Sequence, residues 1–283
     1  MNGDCRTGEP QNGGCVEKTT PRGDGDGVFG GSGALPRPYW TDGVVTLYHA
    51  NCLDILPLLD HVDVTITDPP YEAEAHTLQR RQRGAARGVQ EAPLLFDPMS
   101  DTTRSASAGE IARLTRRWVL TFCQIEAAPT WRTSYEMGGL EYCRTCIWVK
   151  PDGAPQFTGD RPGMGYETFV VMHPRGKKRW NGGGRRGVWT EYIAPQNGAR
   201  FHQTQKPLLL MRELVRLFSD LGETILDPFA GSATTLVAAR IEGRRAIGIE
   251  QSEQYCEVAA RRLERGDEGA KRPDQGMLWE SAS

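Results

Sequence analysis

The chain has 283 residues, 38% of them hydrophobic, with a formal net charge of -2. That is enough for one large domain with a substantial core, and it excludes a histone-like binder that holds nucleic acid by bulk charge. No apolar run approaches the roughly 20 residues needed to span a bilayer, and the seven cysteines are odd in number and scattered, so a soluble, reduced, cytoplasmic protein is expected, with neither a disulfide framework nor a membrane partner.

Residues 1–38 are rich in Gly, Asp, Thr and Pro and are expected to be disordered. From Val44 the pattern becomes that of a strand to His49, a short helix over Cys52 to Leu59, and a buried strand over Asp63 to Thr67. A polar stretch follows over 72–106, predicted as a mobile loop and holding Arg80, Arg81, Arg83 and Arg87. Next come a helix near Gly109 to Arg117, a strand Trp118 to Cys123, a helix near Ala127 to Glu136 and a strand Tyr142 to Lys150. After a Pro/Gly loop and a strand Glu167 to Met172, residues 174–200 form a basic, aromatic, Gly-rich insert. The chain then reads as a helix over Lys206 to Leu221, a strand over Thr224 to Leu226, a helix over Ala233 to Glu242, a strand over Arg245 to Ile249 and a helix over Glu253 to Arg265. Residues 267–283 read as a flexible tail, leaving 39–266 as the folded domain. The strand and helix alternation predicts a doubly wound, Rossmann-like α/β fold with a mostly parallel sheet and an antiparallel edge strand.

Two turns stand out because each follows a short β-rich run: Asp68-Pro69-Pro70-Tyr71 and Asp227-Pro228-Phe229-Ala230-Gly231-Ser232. Open α/β sheets bind ligands at the carboxyl ends of their strands. The second turn opens a βαβ unit whose next strand ends in Glu250, about 20 residues on, where a carboxylate can hold ribose hydroxyls. It lacks the three-glycine fingerprint, which counts against a pyrophosphate cofactor. In the first turn, a carboxylate, a rigid proline pair and an aromatic ring suit an exocyclic amine on a flat base.

The segment Asp227 to Thr235, with His202-Gln203-Thr204-Gln205-Lys206-Pro207 before it and Asp-Pro-Pro-Tyr upstream, resembles the circularly permuted β class of DNA amino-methyltransferases. The resemblance implies S-adenosylmethionine as cofactor. It places Asp227, Phe229, Ala230, Gly231, Ser232 and Thr234 around that molecule, with Glu250 on its ribose. His202, Thr204 and Lys206 lie toward its methionine end, and Asn51 and Cys52 near its adenine. Asp68, Pro69, Pro70 and Tyr71 are the implied catalytic residues, acting on a base flipped out of duplex DNA. Aspartate at the first position resembles the N6-adenine enzymes. N4-cytosine methylation and a non-catalytic DNA-binding module on the same scaffold are the alternatives. Ala233 replaces a family glycine and is tolerable only at negative φ.

Candidate DNA contacts are Arg80, Arg81 and Arg83 in the loop, and Lys177, Lys178, Arg179, Trp180, Arg185 and Arg186 in the insert, where basic groups alternate with aromatic rings. Cys143 and Cys146 lack a second ligand pair, so no metal is expected. In the tail, Gln275, Leu278 and Trp279 loosely resemble peptides that dock on sliding clamps.

Overall fold

The computed structural model describes residues 33–70, 99–153, 155, 159–193 and 205–266. Its strands are β1 (Trp40–Thr41), β2 (Val45–His49), β3 (Val64–Thr67), β4 (Val119–Cys123), β5 (Glu141–Val149), β6 (Tyr166–His173), β7 (Val188–Thr190), β8 (Thr224–Asp227) and β9 (Arg245–Glu250). The helices are α1 (Cys52–Ile55), α2 (Asp101–Leu114), α3 (Ala128–Met137), α4 (Leu208–Phe218), α5 (Thr234–Ile241) and α6 (Glu253–Arg265). All nine strands join one sheet in the order β1-β2-β9-β8-β3-β4-β6-β5-β7.

The central strands β2, β9, β8, β3 and β4 run parallel. Their side chains alternate between two packed faces, as a period of two requires. On one face Val64, Ile66, Leu120 and Phe122 pack with Leu214, Val215 and Phe218 of α4, Leu236 of α5 and Leu263 of α6. On the other, Val119, Cys123 and Leu226 pack with Ile55 of α1, Ile111 of α2 and Trp131 and Tyr135 of α3. This helix, sheet, helix sandwich is the doubly wound fold that the alternation predicts.

Antiparallel pairing occurs in two places. β1 is the expected edge strand, pairing with β2. β6 is antiparallel to both of its neighbours, β4 and β5, so the sheet also reverses in its interior. This reversal puts the start of β6 at the carboxyl edge of the parallel strands and its end at their amino edge.

Several boundaries differ from expectation. Residues 101–106, assigned to the polar loop, begin helix α2, which starts at Asp101 and not near Gly109. The early turns carry no apolar stripe because their packing residues are small or polar: Ser107 and Ala108 are buried, and Arg104 is buried against Asp101. Ser100 supplies the start signal, its hydroxyl accepting from the Thr103 amide at 3.1 Å. The predicted helix over Cys52 to Leu59 tightens to a 3-10 turn at Leu56–Leu58, where Pro57 cannot donate an amide hydrogen. Strand β7 lies within the insert and pairs in parallel with the end of β5.

Candidate active site and cofactor cradle

The chain reverses direction across the sheet between β8 and β3. From β3 the connection leads to the neighbouring β4, and from β8 it leads the opposite way to β9. A crevice must open outside the carboxyl ends of such a strand pair, and ligands bind there. The two marked turns flank that crevice. β3 and β8 pair directly, Val64 with Ile225 and Thr65 with Leu226. The Thr67 hydroxyl donates to Asp227 Oδ1 at 2.7 Å, so turns 160 residues apart in sequence are hydrogen-bonded neighbours.

Asp227 is buried, and its Oδ1 also accepts from the Phe229 amide at 3.2 Å. Burial pushes its carboxyl up to about 6, against the pull of the Thr235 and Thr67 hydroxyls and the Phe229 amide, and the neighbouring Asp68 charge adds to the rise. No ion pair reaches it among the described residues. The turn then passes through two left-handed residues, Gly231 at φ 51° and Ala233 at φ 64°. The expectation of a negative φ at Ala233 is therefore corrected. A left-handed non-glycine residue costs about 1 kcal/mol, and the fully buried Ala233 methyl, packed in the core beside α5, offsets part of it.

Glu250 ends β9 beside this turn. Its Oε2 accepts from the Gly231 amide and its Oε1 from the Ser252 amide, each at 2.8 Å. Burial raises its pKa, with those two amides opposing. The carboxylate is thereby fixed at the lip of the crevice. From behind, Arg262 of α6 donates to the Ser232 carbonyl at 2.5 Å, the Ser232 hydroxyl at 3.0 Å and the Thr234 hydroxyl at 3.1 Å. Ser232 and Thr234, both expected to bind cofactor, are thus tied into the turn itself. Arg262 was legible only as an arginine three residues after Ala259, on the apolar face of its helix.

At the Asp68 turn, Pro69 is buried and Pro70 half-buried. Asp68 accepts from the Lys206 ammonium through Oδ2 at 2.6 Å, while its buried Oδ1 has no hydrogen-bond partner among the described residues. Lys206 also reaches Glu167 Oε1 at 2.6 Å. Its ammonium, matched by resemblance to the cofactor's methionine end, here sits between two protein carboxylates. Burial alone would lower the Lys206 pKa, but those carboxylates outweigh it and raise it. Burial raises the Asp68 carboxyl, with Lys206 pulling the other way.

Asn51 and Cys52 follow β2 at the same edge, where His49 pairs with Glu250. The Asn51 side chain caps α1, accepting from the Leu53 amide at 2.9 Å. Cys52 is buried, and burial pushes its thiol up to about 12, which makes it a packing residue. Tyr71, Arg80, Arg81, Arg83, His202, Thr204 and the tail residues Gln275, Leu278 and Trp279 lie outside the described residues.

The first part of the insert lies at the amino edge of the sheet. Lys177, Lys178, Arg179 and Trp180 follow the end of β6, at the amino edge of the sheet and away from Asp68. Lys178 pairs with Glu141 at 2.8 Å and Arg179 with Asp220 at 3.1 Å, while the Trp118 indole donates to the Arg179 carbonyl. Trp180 packs against Phe218, ring centroids 4.7 Å apart, and Arg185 pairs with Glu213 of α4. Arg186 is exposed two residues before β7. The interior reversal at β6 is the physical reason for this placement, and it separates the cluster from the crevice.

A family model described as DNA methylase, covering N6 and N4 enzymes, matches residues 62–261, which hold both turns. The chain belongs to the N6/N4 DNA methylase family. Among curated relatives, the type II methyltransferase M.HinfI of Haemophilus influenzae is 26% identical over 77% of this chain and 68% of its own length. M2.DpnII of Streptococcus pneumoniae is 24% identical over 83% and 95%. The solved M1.HpyAVI complex with S-adenosylmethionine superposes with a TM-score of 0.60 at 23% identity, covering 77% of this chain and 98% of that one. This methyltransferase takes S-adenosylmethionine as its cofactor. The donor set fits that molecule: it is a cation at sulfur, and the crevice presents Asp227 without a cationic partner among the described residues. Gly231 adds a position where an added Cβ would meet nothing within 4 Å.

Proposed function

We propose that this DNA methyltransferase modifies the exocyclic N6 amine of adenine in duplex DNA. The observation that carries the reading is the buried, unpartnered Oδ1 of Asp68 at the switch-point crevice, one strand away from the cofactor turn. An aromatic amine is a poor nucleophile because its lone pair is delocalised into the ring. A fixed acceptor that takes an N–H hydrogen bond favours a tetrahedral nitrogen and localises that pair. Asp68 supplies this acceptor, and the proline pair, with φ fixed and no amide donors, keeps the turn rigid. The target amine is inaccessible in a duplex, so the base is flipped into the crevice. Tyr71 stacks on it, a contact worth about 1–3 kcal/mol. The cofactor supplies an electrophilic methyl group on its sulfonium. The protein's part is alignment of the amine with that methyl.

Aspartate at the first position of the Asp68 turn favours adenine over cytosine by resemblance. Duplex DNA is the proposed partner, with Arg80, Arg81 and Arg83 directly after the catalytic turn as its phosphate contacts. A sliding-clamp contact through Gln275, Leu278 and Trp279 belongs to the same proposal. Incubation with S-adenosylmethionine and mixed-sequence duplex DNA, followed by mass analysis of nucleosides, tests it. N6-methyladenine is expected. N4-methylcytosine alone would overturn the base assignment, and a DNA shift without any methyl transfer would favour the binding module.

A further inference from the structure

Asp68 is the end of a chain of buried and partly buried charges drawn from four parts of the fold. Lys150 follows β5, Glu167 starts β6, Lys206 precedes α4, and Asp68 follows β3. Lys150 Nζ meets Glu167 Oε2 at 2.5 Å, Glu167 Oε1 meets Lys206 Nζ at 2.6 Å, and Lys206 Nζ meets Asp68 Oδ2 at 2.6 Å. The signs alternate and sum to zero. Aromatic rings floor both lysines: Lys150 lies 4.6 Å from the Trp148 ring centroid and Lys206 5.0 Å from that of Phe122. Trp148 is itself locked, its indole donating to the Glu191 carbonyl at 2.8 Å.

A lysine beside a lone carboxylate can bridge both of its oxygens. Here Glu167 draws the Lys206 ammonium to one side, so that it takes Oδ2 of Asp68 and leaves Oδ1 open. We infer that Glu167, braced by Lys150, is a positioning residue for the methyl transfer: it holds Lys206 off Oδ1 of Asp68, so that this oxygen is kept for the substrate amine. The inference rests on the reading of Asp68 as the amine acceptor. Lys206 then has two duties, neutralising Asp68 enough for it to persist in a buried site and fixing its carboxylate plane. Without its second anchor the ammonium would close over both oxygens and compete with the amine.

The charged groups facing Asp68 are Lys206, Glu167, Lys150 and Asp227. Burial would raise the Glu167 carboxyl, but Lys206 and Lys150 outweigh it and hold it at about 2, so it remains an anion throughout the working range. Replacing that anion removes a charge that raises the Asp68 pKa and removes an anion that competes with Asp68 for Lys206. Both effects lower the Asp68 titration.

The test uses the full chain and its Glu167→Gln variant. On duplex DNA, kcat is expected to fall by at least about tenfold, with the KM for S-adenosylmethionine changed by less than about threefold and the acid limb of the pH profile moved to lower pH. Lys150→Met, at the end of the chain far from Asp68, should give a smaller fall of about threefold with the acid limb moved the opposite way, to higher pH, because the Lys150 charge lowers the Asp68 pKa, and Lys150→Arg should restore kcat to within about twofold of wild type. Carboxyl carbon NMR provides a readout independent of turnover: the Asp68 titration midpoint should drop in Glu167→Gln. Wild-type kcat and an unmoved pH limb in both charge-removing variants would overturn the inference, as would an unmoved Asp68 midpoint. Wild-type protein that methylates no DNA would instead defeat the function proposed above, while the NMR shift still reports on the charge chain. Should Glu167→Gln fail to fold, the two Lys150 variants carry the test.

Discussion

The two edges of the sheet carry similar numbers of charged groups and use them in opposite ways. At the amino edge, Lys178 with Glu141 and Arg179 with Asp220 form exposed or half-exposed pairs, and the largely buried Arg117 meets Asp220 and Glu223, so that each of these carboxylates has a cation. The exposed pairs among them contribute little. At the carboxyl edge, Lys206 and Glu167 are buried and Asp68 partly so, and one carboxylate oxygen of Asp68 has no hydrogen-bond partner among the described residues. A buried acceptor without a donor costs about 1–3 kcal/mol, and such a cost is expected where a ligand completes the site. Composition alone ranks the amino edge as the more interesting of the two. An open carboxylate oxygen beside the crevice reverses that ranking.

The largest effect that would sharpen the contrast is at Asp68. Asp68→Ala should lower methyl transfer by at least about a thousandfold, because it removes the acceptor, while S-adenosylmethionine affinity measured by calorimetry stays within about threefold. Lys206→Met should be the more damaging change for stability, lowering unfolding free energy by about 3 kcal/mol in denaturant titrations, since it strands two buried carboxylates. A stable Lys206→Met protein would mean that the charge chain is less buried than described.

Asp227 gives a pH test. Its carboxyl titrates near 6 in the folded protein against 3.8 for an ordinary aspartate, so folding takes up a proton between those values. Stability contributed by this group is present below pH 4 and lost as pH rises through 6. Asp227→Asn is therefore expected to raise the stability of the cofactor-free protein at pH 7.5, by about 2 kcal/mol, with the gain shrinking toward pH 4. Cofactor binding should show the reverse preference: the Kd for S-adenosylmethionine, a cation, should rise as pH falls below about 6. Melting curves and calorimetry at several pH values check both.

The smallest effects belong to the amino edge and to the cofactor turn. Combined Lys177→Ala, Lys178→Ala and Arg179→Ala replacement should change DNA affinity by less than about twofold at physiological salt, because the cluster lies at the edge opposite the crevice. A tenfold loss would restore the cluster as a DNA contact. Ala233→Gly should relieve the left-handed strain and stabilise the fold by up to about 1 kcal/mol, less the core methyl it removes.

The strand and helix alternation made the fold class legible, and the two proline-containing turns marked the crevice, because both signals are local. What depended on partners across the sheet was not legible. The start of α2 was hidden because its inner face is built from serine, alanine and a paired arginine. β7 escaped notice because three residues carry no periodicity, and its pairing with β5 is wholly tertiary. That Glu167 and Lys150 join Asp68 in one chain of charges depends on β6 beginning, and β5 ending, beside it, which is a tertiary fact. Where the insert lies was not legible, because sequence does not reveal that β6 runs against its neighbours.

That reversed strand has a practical corollary. Glu167 at its beginning belongs to the chemistry, while the glycine run Gly182 to Gly184 beyond its end lies at the amino edge, before the return through β7. A reporter domain or affinity handle spliced into that run would ride on the enzyme's back, leaving the crevice and the approach of a double helix undisturbed.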